Sequence, residues 1–108
     1  MELQEQIATY ARDLKIVQGR LASAERDSKS TQATMNHLAA LDAKVPLYRS
    51  VGKAFFATER EALDRRLEQD LELLTKTQRD LADRQEYLER RITSNKSNLR
   101  ELTAEFAM

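Results

Sequence analysis

His37 is the one histidine in a chain of 108 residues that has no cysteine. Those two facts bound most of the chemistry on offer. Zinc and similar metals take clustered histidine, cysteine and carboxylate ligands, and a lone imidazole cannot build such a cluster. With no thiol, a nucleophile would have to be a Ser or Thr hydroxyl paired with His37, and no strand-turn-helix elbow presents one. His37 precedes Leu38 in a helical pattern without an acid placed to orient it, so a structural or surface role is expected. No glycine-rich phosphate loop is present. The many carboxylates fall on solvated helix faces, where nothing shifts their pKa values as acid–base work requires. The sequence therefore reads as no enzyme, with no catalytic residue, no cofactor and no metal site expected.

Three further groups carry potential chemistry. Arg65-Arg66 and Arg90-Arg91 are the only basic pairs, and salt-bridging on the surface is favoured over phosphate contact. Asn95-Lys96-Ser97 has the form of a glycosylation sequon. Asn95 falls on the apolar seam of a helix, however, so that reading is discounted. Tyr10 also falls on a seam and reads as packing rather than ligand binding.

Composition agrees with assembly and binding. The chain is 33% charged, with 18 basic and 18 acidic residues and zero formal net charge. A nucleic-acid grip needs a clear basic excess, so no nucleic acid is expected. The signs alternate instead of forming blocks, which argues against an acidic tail. No apolar run approaches the ~20 residues needed to cross a bilayer, and no membrane partner is expected. Glu2 and Glu5 interrupt the segment from Met1 to Tyr10, which does not read as a signal peptide. A cytoplasmic location, with the nucleus as a second compartment, is the default expectation.

The elements that position these residues follow from periodicity. With two Gly and one Pro the chain has few places to turn, and strong helix formers dominate. One domain over residues 1–108 is expected, with a coiled-coil helix over 1–44, a β-hairpin over 45–58 and a second coiled-coil helix over 59–108. In the first helix a mostly apolar series steps by 4 and 3 through Leu3, Ile7, Tyr10, Leu14, Val17, Leu21 and Ala24, then the small polar Ser28 and Thr31, then Met35 and Leu38. This is the a/d seam of a coiled coil, weakest at Ser28 and Thr31. Glu5, Arg12, Arg20, Arg26 and Lys29 occupy the opposite face. The second seam runs Leu67, Leu71, Leu74, Gln78, Leu81, Gln85, Leu88, Ile92, Asn95, Leu99, Leu102, Phe106. Its polar members Gln78, Gln85 and Asn95 lower stability but can set register. Thr58 and Glu61 have the spacing of a capping box at its start, and Glu86–Arg90 is an attractive pair.

Between the helices, Pro46 ends helical geometry. Leu47 to Val51 and Lys53 to Ala57 read as two short strands around Gly52. Leu47, Val51 and Phe55 alternate, and so do Tyr48 and Phe56, so apolar residues occupy both faces. A lone hairpin is marginal in water, and free apolar edges invite aggregation. Strands from other subunits would remove both problems, so assembly through the hairpin is expected. The short connection makes the helices antiparallel. The second helix then overhangs the first, leaving Leu99, Leu102, Phe106 and Met108 partly covered by Met1, Leu3 and Ile7. An exposed apolar end on a charged coiled coil suggests a surface for apolar segments.

Tyr48-Arg-Ser-Val-Gly-Lys-Ala-Phe-Phe56, followed by a charged helix containing Tyr87-Leu-Glu-Arg90, resembles the β-class prefoldin subunits, and among these the eukaryotic subunit-1 type. The resemblance covers essentially the whole chain. The hairpin motif is its specific part, since any heptad repeat matches another. A single hairpin supports the β class, because α-class subunits carry two. The resemblance implies a mainly α fold whose hairpin joins an intersubunit β-barrel, in a heterohexamer with two α-class and three further β-class subunits. It also implies ATP-independent capture of unfolded or nascent clients, such as actin and tubulin, and their transfer to the cytosolic group II chaperonin. Leu47, Tyr48, Val51, Gly52, Phe55 and Phe56 would then serve assembly, and Leu3, Ile7, Leu99, Leu102 and Phe106 would form client-binding tips. A tethering coiled coil of a cytoskeletal or trafficking complex shares the helices but has no need of the hairpin. A prefoldin-like nuclear complex shares every feature.

Overall fold

Ala, Leu, Glu, Gln, Lys and Arg fill most positions on either side of the central segment, and such residues lose little rotamer freedom in a helix. The computed structural model describes residues 2–41, 45–51 and 54–107. Helix α1 spans Glu2–Ala40, strand β1 Leu47–Val51, strand β2 Ala54–Thr58 and helix α2 Arg60–Ala107. Four threonines inside the helices satisfy their hydroxyls by donating back four residues. Thr9 does so to the Glu5 carbonyl, Thr34 to Ser30, Thr75 to Leu71 and Thr103 to Leu99. The Ser28–Thr31 stretch stays helical.

The chain divides into two compact units, Met1–Ala24 with Thr77–Met108, and Glu25–Lys76. In the first unit α1 and α2 run antiparallel, with Asn95 against Gln6 and Arg91 against Tyr10. The seam positions from Leu3 to Ala24 and from Gln78 to Leu102 are half-buried or buried. Val17 and Ala24 are buried on α1, and Leu88 is completely enclosed on α2. Phe106 departs from the pattern. It continues the 4 and 3 steps, yet it is 81% exposed. Counting outward from the Gln6–Asn95 pair at equal rise, Glu2 stands opposite about residue 99, so nothing described on α1 stands opposite Phe106.

In the second unit Ser28, Thr31 and Met35 on α1 and Leu67, Leu71 and Leu74 on α2 are half-buried, and Leu38 is buried. α1 ends at Ala40, ahead of the Lys44 boundary expected from sequence, and residues 42–44 lie outside the described residues. The last turn tightens, with Leu41 N donating to the Leu38 carbonyl at 3.1 Å. At the start of α2 the Glu59 carbonyl accepts from Leu63 N at 3.0 Å. The N-cap is therefore Glu59, one residue beyond the capping box expected from Thr58 and Glu61. Thr58 is instead the last residue of β2, because its pairing with Leu47 extends the strand to that point.

β1 and β2 form one antiparallel two-stranded sheet with pairs Leu47↔Thr58, Tyr48↔Ala57, Arg49↔Phe56, Ser50↔Phe55 and Val51↔Ala54. Two residues, Gly52 and Lys53, separate the strands, so β2 begins one residue later than expected. Both lie outside the described residues, and the turn expected at Gly52 lies there too. A two-residue connection is the commonest in hairpins, and the side-chain period of two makes it decisive. Position 56 shares a face with positions 47, 49 and 51, and position 55 shares one with 48 and 50. The grouping of Phe55 with Leu47 and Val51, and of Phe56 with Tyr48, is thus exchanged. Each face still carries apolar positions.

Candidate assembly and binding surfaces

The hairpin is positioned by what flanks it. Glu59 alone separates β2 from α2, while residues 41–46 connect α1 to β1. Pro46 stands just before β1, where a missing N–H and a fixed φ do no harm to the ladder. Tyr48 is 65% exposed, Val45 is also exposed, and Leu47 is half-buried. Among the described residues the sheet has two strands, so both strands keep an edge without a backbone partner. Of the six positions expected to serve assembly, the register brings Val51 and Phe56 to the face of Leu47, and Phe55 to the face of Tyr48.

In the first unit, the end of α2 holds the other set. Leu3 and Ile7 on α1 are half-buried, as are Leu99 and Leu102 on α2, while Phe106 is open to solvent. The structure thus brings Leu3, Ile7, Leu99 and Leu102 to one end of the helix pair and leaves Phe106 beyond it. Met1 and Met108, expected to join them, lie outside the described residues. Lys96, Leu99, Arg100, Thr103 and Ala104 line a shallow, mainly apolar groove of about 470 Å³ on the same part of α2. Exposed Lys and Arg heads beside apolar stems keep such a surface wet while leaving carbon to contact.

Among the described residues no buried side-chain nitrogen or oxygen lacks a hydrogen-bond partner. The Asn95 side chain is 4% exposed and donates to Gln6 Oε1 at 3.2 Å, which leaves no room for a glycan on that amide. Arg90 pairs with Glu86 one helical turn away, and both are open to water, where such pairs contribute little. The Arg91 guanidinium lies 5.7 Å from the Tyr10 ring centroid. Its pKa is raised by a hydrogen bond with Tyr10, and further by the charges of Tyr10 and Tyr87. Arg84 lies 5.2 Å from the Tyr87 ring. His37 is exposed on α1. Among the described residues no group of His, Cys, Asp or Glu could hold a metal ion, and no helix is long and apolar enough to cross a membrane.

Sequence reasoning missed several residues. Ile16 and Leu73 are exposed apolar side chains off the seam. Each immediately precedes a seam residue (Val17 and Leu74), which is the signal that could have found them. Gln6 was missed as the partner of Asn95, although a polar seam residue asks for one. Arg60 was missed entirely. Its guanidinium donates to the Leu41 carbonyl from Nη1 at 3.1 Å, and to the Leu38 carbonyl from Nη2. The available signal was a cation in the first turn of a helix, where acids are favoured.

Residues 1–106 match a family model described as "Prefoldin subunit". The chain is 30% identical over 101 residues to a protein named probable prefoldin subunit 1 of Dictyostelium discoideum, covering 94% of this chain and 88% of that one. It is 30% identical over 102 residues to prefoldin subunit 1 of Arabidopsis thaliana, covering 94% and 80%. Its fold matches the crystal structure of the prefoldin beta subunit from Thermococcus strain KS-1 with a TM-score of 0.85 at 14% identity, covering 94% and 89% of the two chains.

Proposed function

The chain belongs to the prefoldin subunit family, and on that premise we propose that it acts as a β-class subunit in a heterohexamer with two α-class and three further β-class chains. The observation that carries this reading is the two-stranded sheet between the helices, with apolar positions on both faces. Such a sheet is marginal alone and gains stability when strands of neighbouring subunits close it into a β-barrel. The hairpin is thus the joining element.

The helix pair supplies the holding element. Leu99 and Leu102, with Phe106 beyond them, offer apolar surface to unfolded or nascent chains, actin and tubulin among them. Apolar contact needs no sequence match. Each end binds weakly, and several ends linked through one platform raise avidity through effective concentration. Nothing in this mechanism calls for nucleotide. A charged exterior keeps the device soluble, and the client passes to the cytosolic group II chaperonin. The complex works in the cytoplasm, with the nucleus as a second compartment.

The test is to tag the chain, isolate it from its own cell extract and weigh what accompanies it. Five other small coiled-coil proteins in one six-chain complex are expected. A homodimer, or a large unrelated complex, would put the tethering reading first.

A further inference from the structure

A helix end leaves its last carbonyls without helical partners. Gly or Asn in left-handed geometry commonly closes such an end, but Leu41, Asp42 and Ala43 follow α1 in the sequence. The only basic residue in the last turn of α1 is His37. Leu41 N closes on the Leu38 carbonyl, and further donors come from the other helix. Arg60 Nη1 donates to the Leu41 carbonyl at 3.1 Å and Nη2 to the Leu38 carbonyl, both partly buried. Arg60 is the first residue of α2, where the helix dipole disfavours a cation. Its head instead reaches the end of α1, where the dipole favours one. The position is thus unfavourable within its own helix and favourable across the pair.

The site also lies at the foot of the hairpin. Leu47↔Thr58 is the pair nearest the helices, and Glu59 alone links β2 to α2, whereas residues 41–46 link α1 to β1. The connection from α1 is the longer one, and Arg60 holds the carbonyl of its first residue, Leu41. We infer that Arg60 is a positioning residue for assembly. By tying the exit of α1 to the entry of α2, it holds the hairpin in the orientation in which its edges meet the strands of neighbouring subunits. The inference rests on the assembly reading above. Lysine would keep the charge but not the planar fork that reaches two carbonyls at once.

The experiment compares wild type, Arg60→Ala and Arg60→Lys. Helix content is read by circular dichroism, and the midpoint of assembly with the copurifying subunits by native mass spectrometry. If the ungripped hairpin holds its assembly geometry about a tenth of the time, the midpoint rises about tenfold in Arg60→Ala. Helix content is expected to stay at the wild-type level, and Arg60→Lys is expected to recover only part of the loss. Methylguanidinium at millimolar concentration is expected to restore assembly of Arg60→Ala, and methylammonium is not. A wild-type midpoint in Arg60→Ala overturns the inference while leaving the assembly reading intact. A parallel loss of helix and assembly, without methylguanidinium rescue, also overturns it, because the role is then merely structural. Should Arg60→Ala fail to fold, full assembly of Arg60→Lys overturns it. A wild type that forms no mixed complex overturns the assembly reading, and this inference with it.

Discussion

Asn95 on α2 and Gln6 on α1 are joined by a side-chain hydrogen bond of 3.2 Å, with Asn95 almost wholly buried in the seam. A buried amide without its partner costs about 1–3 kcal/mol, so Gln6→Leu should lower thermal stability by about that much. Asn95→Leu removes the polar group and extends the apolar seam, and should be neutral or raise stability by about 1 kcal/mol. Calorimetric melting of the three proteins checks this. Equal melting temperatures for Gln6→Leu and wild type would show the bond to be idle.

Among the described residues Leu88 is the most enclosed side chain, with 0% exposure. Truncation to Ala leaves a hole that the two helices can close only in part, and should cost about 3 kcal/mol. The same change at Leu73, which stands in solvent, should cost less than about 0.5 kcal/mol. Urea denaturation of both variants separates the two positions.

Gly19 lies inside α1, and a Cβ built there meets nothing within 4 Å. A mid-helix glycine is about 0.5–1 kcal/mol less favourable than alanine. Gly19→Ala should raise stability by about that amount, read as a higher denaturation midpoint at unchanged slope. A drop would mean that another chain approaches the helix backbone at this point.

Leu102 and Phe106 should matter to clients and not to assembly. Phe106 is 81% exposed, so Phe106→Ser should change stability by less than about 0.5 kcal/mol. The double change with Leu102→Ser should weaken suppression of aggregation of denatured actin by the assembled complex, while native mass spectrometry still finds every chain in place. Failure of assembly would instead make these residues structural.

Phe55 pairs with Ser50 across the hairpin. A carboxylate at this position, on a face proposed to meet other subunits, would carry an uncompensated charge into the barrel. Phe55→Asp should abolish assembly as seen by size-exclusion chromatography. A complex of normal size would sink the assignment of the hairpin to the platform.

Helix existence and core membership were legible in the sequence because they depend on local spacing. The 4 and 3 steps from Leu3 to Leu38 and from Leu67 to Leu102 mark positions that are half-buried or buried. The break at Pro46 likewise marks where one period gives way to another. Phe106 obeys the same spacing and is exposed, because periodicity assigns a face and says nothing about whether a partner reaches it.

What the tertiary structure decided involves residues far apart in the chain or a count of a single residue. Gln6 and Asn95 are separated by 89 positions and Leu38 and Arg60 by 22, and no local pattern encodes which polar groups meet. Whether one residue or two separate the strands exchanges Phe55 and Phe56 between the faces of the sheet, since neighbours along a strand point to opposite sides. Residue type and spacing determined which faces are apolar and which segments can be helical or extended. Only the folded chain, by pairing two antiparallel helices at one register and closing the hairpin on Val51↔Ala54, decided which of those groups meet, because register is a property of two segments together.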